Sequence, residues 1–299
     1  MLVDYEAFIL ESFSLRCAMK IGRTTRALVT GAGSGLGKEL CRELGRRGGR
    51  VLAVDSIEER AQEARELVQQ LGGSGDSVCC DVARKEQMAS LAERVARDWG
   101  GVDLLVNNAG VSVAGRVGSA PLDNWQWVID IDLWGVIYGC HFFVPLMKRT
   151  GGGHIVNIAS NAGIASFPEM GPYNVAKAGV ISLSETLRAE LNAYRIGVSV
   201  VCPTFFPTRL LENLRYETEE QYQFAQKMFD LATMDAAGVA RCTIRAVEKN
   251  KLYVLPQIEA RFVWHLKRLF PRTYVWTVGC AYRWGVHRLL LRIKTKKDS

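Results

Sequence analysis
The 299-residue chain is 48% hydrophobic and 23% charged, a globular balance that excludes a collagen-like, low-complexity or largely disordered protein. Its formal net charge of +7 is uneven: residues 260–299 carry ten Lys/Arg and one acid, Asp298, so the rest of the chain is close to neutral. A basic nucleic-acid-binding core is therefore excluded, because phosphate binding needs a cationic face on the folded body.

No apolar run approaches the ~18 residues of a membrane span. Asp4, Glu6 and Glu11 stand ahead of any basic cluster, which is wrong for a signal peptide. The eight cysteines form no CxxC pair. They fit reduced thiols in a cytoplasmic protein. His141, His154, His265 and His287 lack metal-ligand spacing, so no metal is expected.

Residues 1–25 show no clear period and read as an extension before the fold, with Met19 an alternative start. From Arg26 onward, β-rich runs at 27–30, 50–55, 77–81, 102–108, 154–160, 197–203 and 251–256 alternate with helical stretches. The helices fall at about 35–47, 57–71, 84–99, 121–148, 171–194 and 235–249. Apolar strands separated by helices predict an α/β fold, a Rossmann-type doubly wound parallel sheet of about seven strands covered on both faces. No linker interrupts residues 26–256, which read as one domain. Residues 204–234 break the alternation as an insertion beyond the sixth strand, placed to close over a ligand.

After the first strand comes Thr30-Gly31-Ala32-Gly33-Ser34-Gly35-Leu36-Gly37 and then a helix. Glycines permit the turn and let backbone approach a pyrophosphate, while the helix N-terminus offers free N–H groups to the anion. Asp55 ends the next strand. A carboxylate there can accept both ribose hydroxyls of NAD and would repel the 2′-phosphate of NADP. Ser56 follows it rather than a cation, so NAD is expected over NADP.

Tyr173 and Lys177 lie four apart on one helix face. A phenol with a pKa near 10 is a poor base at neutral pH. A unit charge at ~4 Å and an effective dielectric of ~20 favours the phenolate by about 4 kcal/mol, enough to lower the pKa by roughly three units. Ser160, after the strand HIVNIA, can hydrogen-bond a substrate oxygen while the tyrosine moves the proton.

Over about residues 26–256 the chain resembles the short-chain dehydrogenase/reductase family. The resemblance rests on Thr30, Gly31, Gly35 and Gly37 of the loop, Asp81-Val82, Asn107-Asn108-Ala109-Gly110, and Ser160, Tyr173 and Lys177. Thr208, five residues after Pro203, completes it. It implies hydride transfer between NAD(P) and an alcohol or carbonyl, with Tyr173 as acid/base, Lys177 holding ribose and lowering the tyrosine pKa, and Ser160 orienting substrate. It implies Asp81 and Val82 against adenine, Asn108, Ala109, Gly110 and Pro203 beside the cofactor, and Thr208 on the carboxamide. It also implies a homodimer or homotetramer through helices 121–148 and 171–194. Asp132 departs from the family's asparagine, and Thr204 from its glycine.

Phe167, Phe205 and Phe206, with the apolar insertion, suggest a bulky lipophilic secondary alcohol or ketone of steroid, retinoid or long-chain type. The alternatives are an NADPH-linked ketoacyl-type reductase, which conflicts with Asp55, and a catalytically weak NAD-binding scaffold, for which only Asp132 speaks. In the tail, residues 257–299, Ile258, Phe262, Leu266 and Leu269 form one stripe. Val275, Val278, Tyr282, Val286, Leu289 and Ile293 form a second. With their basic neighbours these stripes suit either an anionic membrane surface or packing on the domain.

Overall fold
The computed structural model describes residues 18–286, 288 and 291. Residues 1–17 of the extension, His287, Leu289, Arg292, Ile293 and the Lys294–Lys297 cluster lie outside the described residues.

Seven strands form one parallel sheet in the order β3-β2-β1-β4-β5-β6-β7. The strands are β1 Arg26–Thr30, β2 Arg50–Asp55, β3 Ser74–Cys79, β4 Leu104–Asn107, β5 Gly153–Ile158, β6 Ile196–Val201 and β7 Tyr253–Val254. Their apolar residues are buried on both faces because helices cover both sides. On one face lie α1 (Gly35–Arg46), α2 (Glu58–Gln70) and α9 (Ala236–Glu248), packing Leu40, Leu44, Val68 and Val239 against Val29 and Val51. On the other lie α3 (Lys85–Trp99), α5 (Gly135–Arg149) and α7 (Gly171–Glu190), packing Met88, Val95, Phe143, Met147 and Val180 against Leu28 and Leu105.

β3 starts three residues before the predicted run, because its pairing with β2 carries through Gly75. A side chain there would sit 1.8 Å from the Val51 carbonyl oxygen, so the polar-looking SGDS segment is strand by backbone pairing alone. The single helix expected over 121–148 is α4 (Leu122–Ile129) followed by a π turn, Asp130–Trp134, and then α5. Within Leu122–Arg149 an 18-residue window has a mean hydropathy of 1.3, so the stretch is long and apolar enough, by length and composition, to cross a membrane. That qualifies the expectation of no such segment, which considered only unbroken apolar runs. Here α5 buries Val136, Cys140, Phe143 and Met147 against the sheet side.

The insertion contains a short 3-10 turn, Arg209–Asn213, and α8, Glu219–Asp230. Thr218 and Gln221 start α8 with a reciprocal capping box. α6 is one turn, Ala162–Ala165, after β5. The tail forms α10 (Ile258–Leu269) and α11 (Pro271–Arg283), broken at Pro271, whose fixed φ suits a helix start.

Candidate active site
The sheet order reverses between β1 and β4, so a crevice opens beyond the carboxyl ends of these strands. A cavity of about 570 Å³ occupies it, walled by the glycine loop, the turn after β4, Ser160, Tyr173, Lys177, the insertion and part of the tail.

The loop between β1 and α1 is locked to the turn after β4. Gly31 has φ +62°, and a Cβ on it would lie 2.8 Å from Ala109 Cα; one on Gly37 would lie 2.0 Å from the Gly31 oxygen. Only glycine lets these backbones approach so closely. The Thr30 hydroxyl accepts the Asn108 and Ala109 N–H groups at 2.9 and 3.0 Å, and Asn108 Nδ2 donates to the Thr30 carbonyl at 2.8 Å. Gly31, Ser34, Gly35, Leu36, Asn108, Ala109 and Gly110 line the cavity, whereas Thr30 and Gly37 stand behind it. With the N–H groups of the first turn of α1, which have no partner within the helix, this loop has the donors that could hold a pyrophosphate.

Asp55 is buried at the end of β2. Its Oδ2 accepts the Gly33 N–H at 2.9 Å and its Oδ1 the Ile57 N–H at 3.1 Å. It therefore braces the glycine loop, and each oxygen keeps acceptor capacity for a hydroxyl. Asp55 does not itself line the cavity, and neither do Asp81 and Val82. Asp81 accepts the Ala83 N–H at 3.0 Å, and Val82 is buried against Gly135.

β5 delivers Ser160 and the first turn of α7 delivers Tyr173, with Lys177 one turn on. The Ser160 Oγ accepts the Ala162 N–H at 3.1 Å, and the Ser160 side chain favours the ionised form of the Tyr173 phenol. Lys177 Nζ donates to the Ile158 carbonyl at 3.0 Å and sits 5.7 Å from the Tyr173 ring centre. It also pairs at 3.0 Å with Asp132, which is fully buried. The π turn presents Asp132, whose Oδ1 accepts the Val111 N–H at 2.8 Å.

These contacts correct the expected electrostatics. Burial pushes the Tyr173 phenol above its usual value and Asp132 adds to this, outweighing the downward pull of Lys177 and Ser160. The spacing alone showed one cation; it did not show a carboxylate 3.0 Å from that cation. Burial presses the Lys177 ammonium downward, but Asp132 and Tyr173 reverse this and hold it raised. Burial pushes the Asp132 carboxyl up against the opposing charge of Lys177 and the Val111 N–H.

Phe167, Phe205 and Phe206 all line the cavity, joined by Leu210, Phe224 and Met228 of the insertion. Pro203 and Thr208 line it too, and Thr208 caps the 3-10 turn by accepting the Leu210 N–H at 3.2 Å. Thr204 donates its N–H to Gln257 at 3.1 Å.

The sequence reading missed three features. Arg60 lies in the first turn of α2, against Gly33, and lines the cavity; it stands five positions beyond Asp55 rather than directly after it. Val263, Val278 and Tyr282 of the tail also line the cavity. Glu169, at φ +62°, accepts from Arg116 at 2.7 Å, Gln221 at 3.2 Å and Tyr282 at 2.6 Å, tying α8 and α11 together over the cavity. Glu169→Ala is expected to loosen this closure. Half-exposed charged hydrogen bonds are worth about 1 kcal/mol, so KM should rise about fivefold. The kcat and Tm should be nearly unchanged, and proteolysis within 205–232 faster, in paired kinetic and proteolysis assays.

The model of the short chain dehydrogenase family matches residues 25–219. The chain belongs to this family. It is thus an oxidoreductase. A short-chain dehydrogenase/reductase of Burkholderia phymatum, solved in complex with NAD, is similar with a TM-score of 0.78 and 30% identity, over 84% of this chain and 95% of that one. The C alpha-dehydrogenase of a Sphingobium species is 32% identical over 247 residues, 79% of this chain and 81% of its own length. The chain is also 32% identical over 257 residues to the Mycobacterium tuberculosis protein EphD, but spans only 43% of that protein's length.

Proposed function
We propose that the protein is an NAD-linked dehydrogenase of a bulky apolar secondary alcohol, or the reductase of the corresponding ketone. The observation that carries this is that Ser160, Tyr173 and Lys177 share one cavity with the glycine loop and with Phe167, Phe205 and Phe224. Gly31, Ser34, Gly35 and the first turn of α1 would hold the pyrophosphate, and Asp55 the adenine-side ribose. Lys177 would hold the other ribose, and Thr208 the carboxamide. Bound there, an oxidised nicotinamide supplies the hydride acceptor and a positive charge beside the phenol.

Ser160 donates to the substrate oxygen and fixes the carbinol carbon. Tyr173 takes the hydroxyl proton as the C–H bond breaks, and returns it in the reductive direction. Lys177, held cationic by Asp132, stabilises the phenolate. The apolar walls exclude water from the reacting carbon. Trp134 at the end of the π turn and Tyr138 and Phe142 of α5 form an aromatic ridge that suits the face of a homo-oligomer.

A second reading, NADP(H) as cofactor, is favoured by one observation, Arg60 in the cavity wall. Titration calorimetry with NADH and NADPH separates the two. NADH is expected to bind more tightly by at least about tenfold, because a 2′-phosphate would face the Asp55 carboxylate. A preference for NADPH would transfer the role to Arg60 and point to a reductase. Absence of binding to either would favour a scaffold.

A further inference from the structure
The tail helices are amphipathic in the reverse sense for a packed domain. On a 100° per residue wheel, Ile258, Phe262 and Leu269 share one face of α10, and all three are exposed, at 77%, 66% and 69%. The opposite face, with Ala260 and Lys267, meets the body: Lys267 Nζ donates to the Ile164 carbonyl and, at 3.1 Å, to Ser166. In α11 the face of Tyr274, Val278 and Tyr282 turns inward, with Tyr274 donating to the Ala165 carbonyl at 3.0 Å. Its other face carries Arg272, Trp276 and Arg283, all exposed. Eight of the seventeen exposed large hydrophobics among the described residues fall between Ile258 and Val286. A stripe that could have packed on the domain points away from it.

We infer that the outer faces of α10 and α11 form a docking surface for an anionic lipid bilayer. Three observations select this occupant. Glu259 is the one acid in α10 and α11, and residues 260–297 contain no Asp or Glu, so the apolar patch has cationic neighbours such as Arg272 and Arg283 on a strongly basic segment. Two copies meeting through this face would set cations against cations, which disfavours a symmetric protein contact. Exposed tryptophans, Trp276 and Trp284 at 68% and 75%, match the amphipathic chemistry of the headgroup region. Neither helix is long enough to cross, so the contact is interfacial. The inner faces of the same helices wall the cavity, so the substrate site lies one helix thickness from the lipid. The inference does not depend on which alcohol is turned over.

The full-length protein would be sedimented with phosphatidylcholine vesicles, with and without phosphatidylserine, at low and high salt. Pelleting is expected with phosphatidylserine only, and reduced by salt. Phe262→Ser with Trp276→Ser, or Arg272→Glu with Arg283→Glu, should weaken partitioning by more than about tenfold, leaving Tm and turnover of a water-soluble alcohol unchanged. Equal pelleting with neutral vesicles, or none, overturns the inference. So does an outcome in which these substitutions change the mass in sedimentation velocity without changing lipid binding, which would make the face a protein interface.

Discussion

Tyr173→Phe is expected to lower kcat/KM by about 10²–10⁴-fold, with Tm and NADH affinity held close to those of the unsubstituted protein. The substitution removes one oxygen and leaves a ring of the same shape in an apolar setting with Val113, Val128 and Ala176, where a buried phenylalanine is well accommodated. The chemistry has no substitute nearby. Ser160 is the other hydroxyl at the reacting end, and its oxygen already accepts the Ala162 N–H at 3.1 Å. The pH profile carries a second readout. Oxidation of an alcohol needs the phenolate, and burial holds the phenol above its ordinary value. The oxidative rate should therefore climb with pH through the neutral range. Reduction of the ketone needs the protonated phenol, so it should be flat there and fall only in alkali. Loss of both limbs in Tyr173→Phe, measured by stopped-flow absorbance of NADH, would tie them to this residue. A residual rate within tenfold of the parent, with the same profile, would remove the phenol from the mechanism.

The parts of the site that were legible in sequence are those set by backbone geometry and short spacing. Gly31 and Gly37 encode a close approach that no other residue permits, and the Tyr173–Lys177 spacing is a property of any helix. What was hidden depends on contacts between distant segments. The π turn Asp130–Trp134 has no periodic signature, yet it carries Asp132 to Lys177, 45 positions later in the chain. Burial is the main cause that holds the Tyr173 phenol up rather than down, and the Asp132 carboxylate adds to it. The tail was read as two apolar stripes, but a stripe does not say which way it faces. Lys267 and Tyr274 anchor the helices through their polar groups, which turns the stripe of α10 outward. Arg60 escaped notice because the first turn of α2 brings position 60, rather than position 56, over Gly33.

Lys177→Met is expected to destabilise the fold by about 3–5 kcal/mol at neutral pH, the range for leaving one member of a buried ion pair uncompensated. Lys177 and Asp132 have side-chain exposures of 4% and 0%, so solvent cannot take over for the missing ammonium. The carboxylate would keep the Val111 N–H at 2.8 Å, which cannot neutralise a full charge. The pH dependence then follows from linkage. With the counter-charge gone, burial raises the Asp132 pKa in the folded state above its unfolded value, so the folded state takes up a proton first. The penalty is absent below the unfolded carboxyl pKa, near 4. It grows as pH rises from there to the raised folded pKa, above which it is constant. In the parent the sign is opposite at the alkaline end: the raised Lys177 pKa contributes stability present below the unfolded lysine value and lost as pH rises through the folded one. Urea unfolding across this range tests both limbs. The double substitution Asp132→Asn with Lys177→Met removes the stranded charge and keeps an acceptor for Val111, so it should recover most of the loss. A double variant no more stable than Lys177→Met at neutral pH would show that the cost lies in lost lysine packing and in its bond to Ile158, rather than in the buried carboxylate.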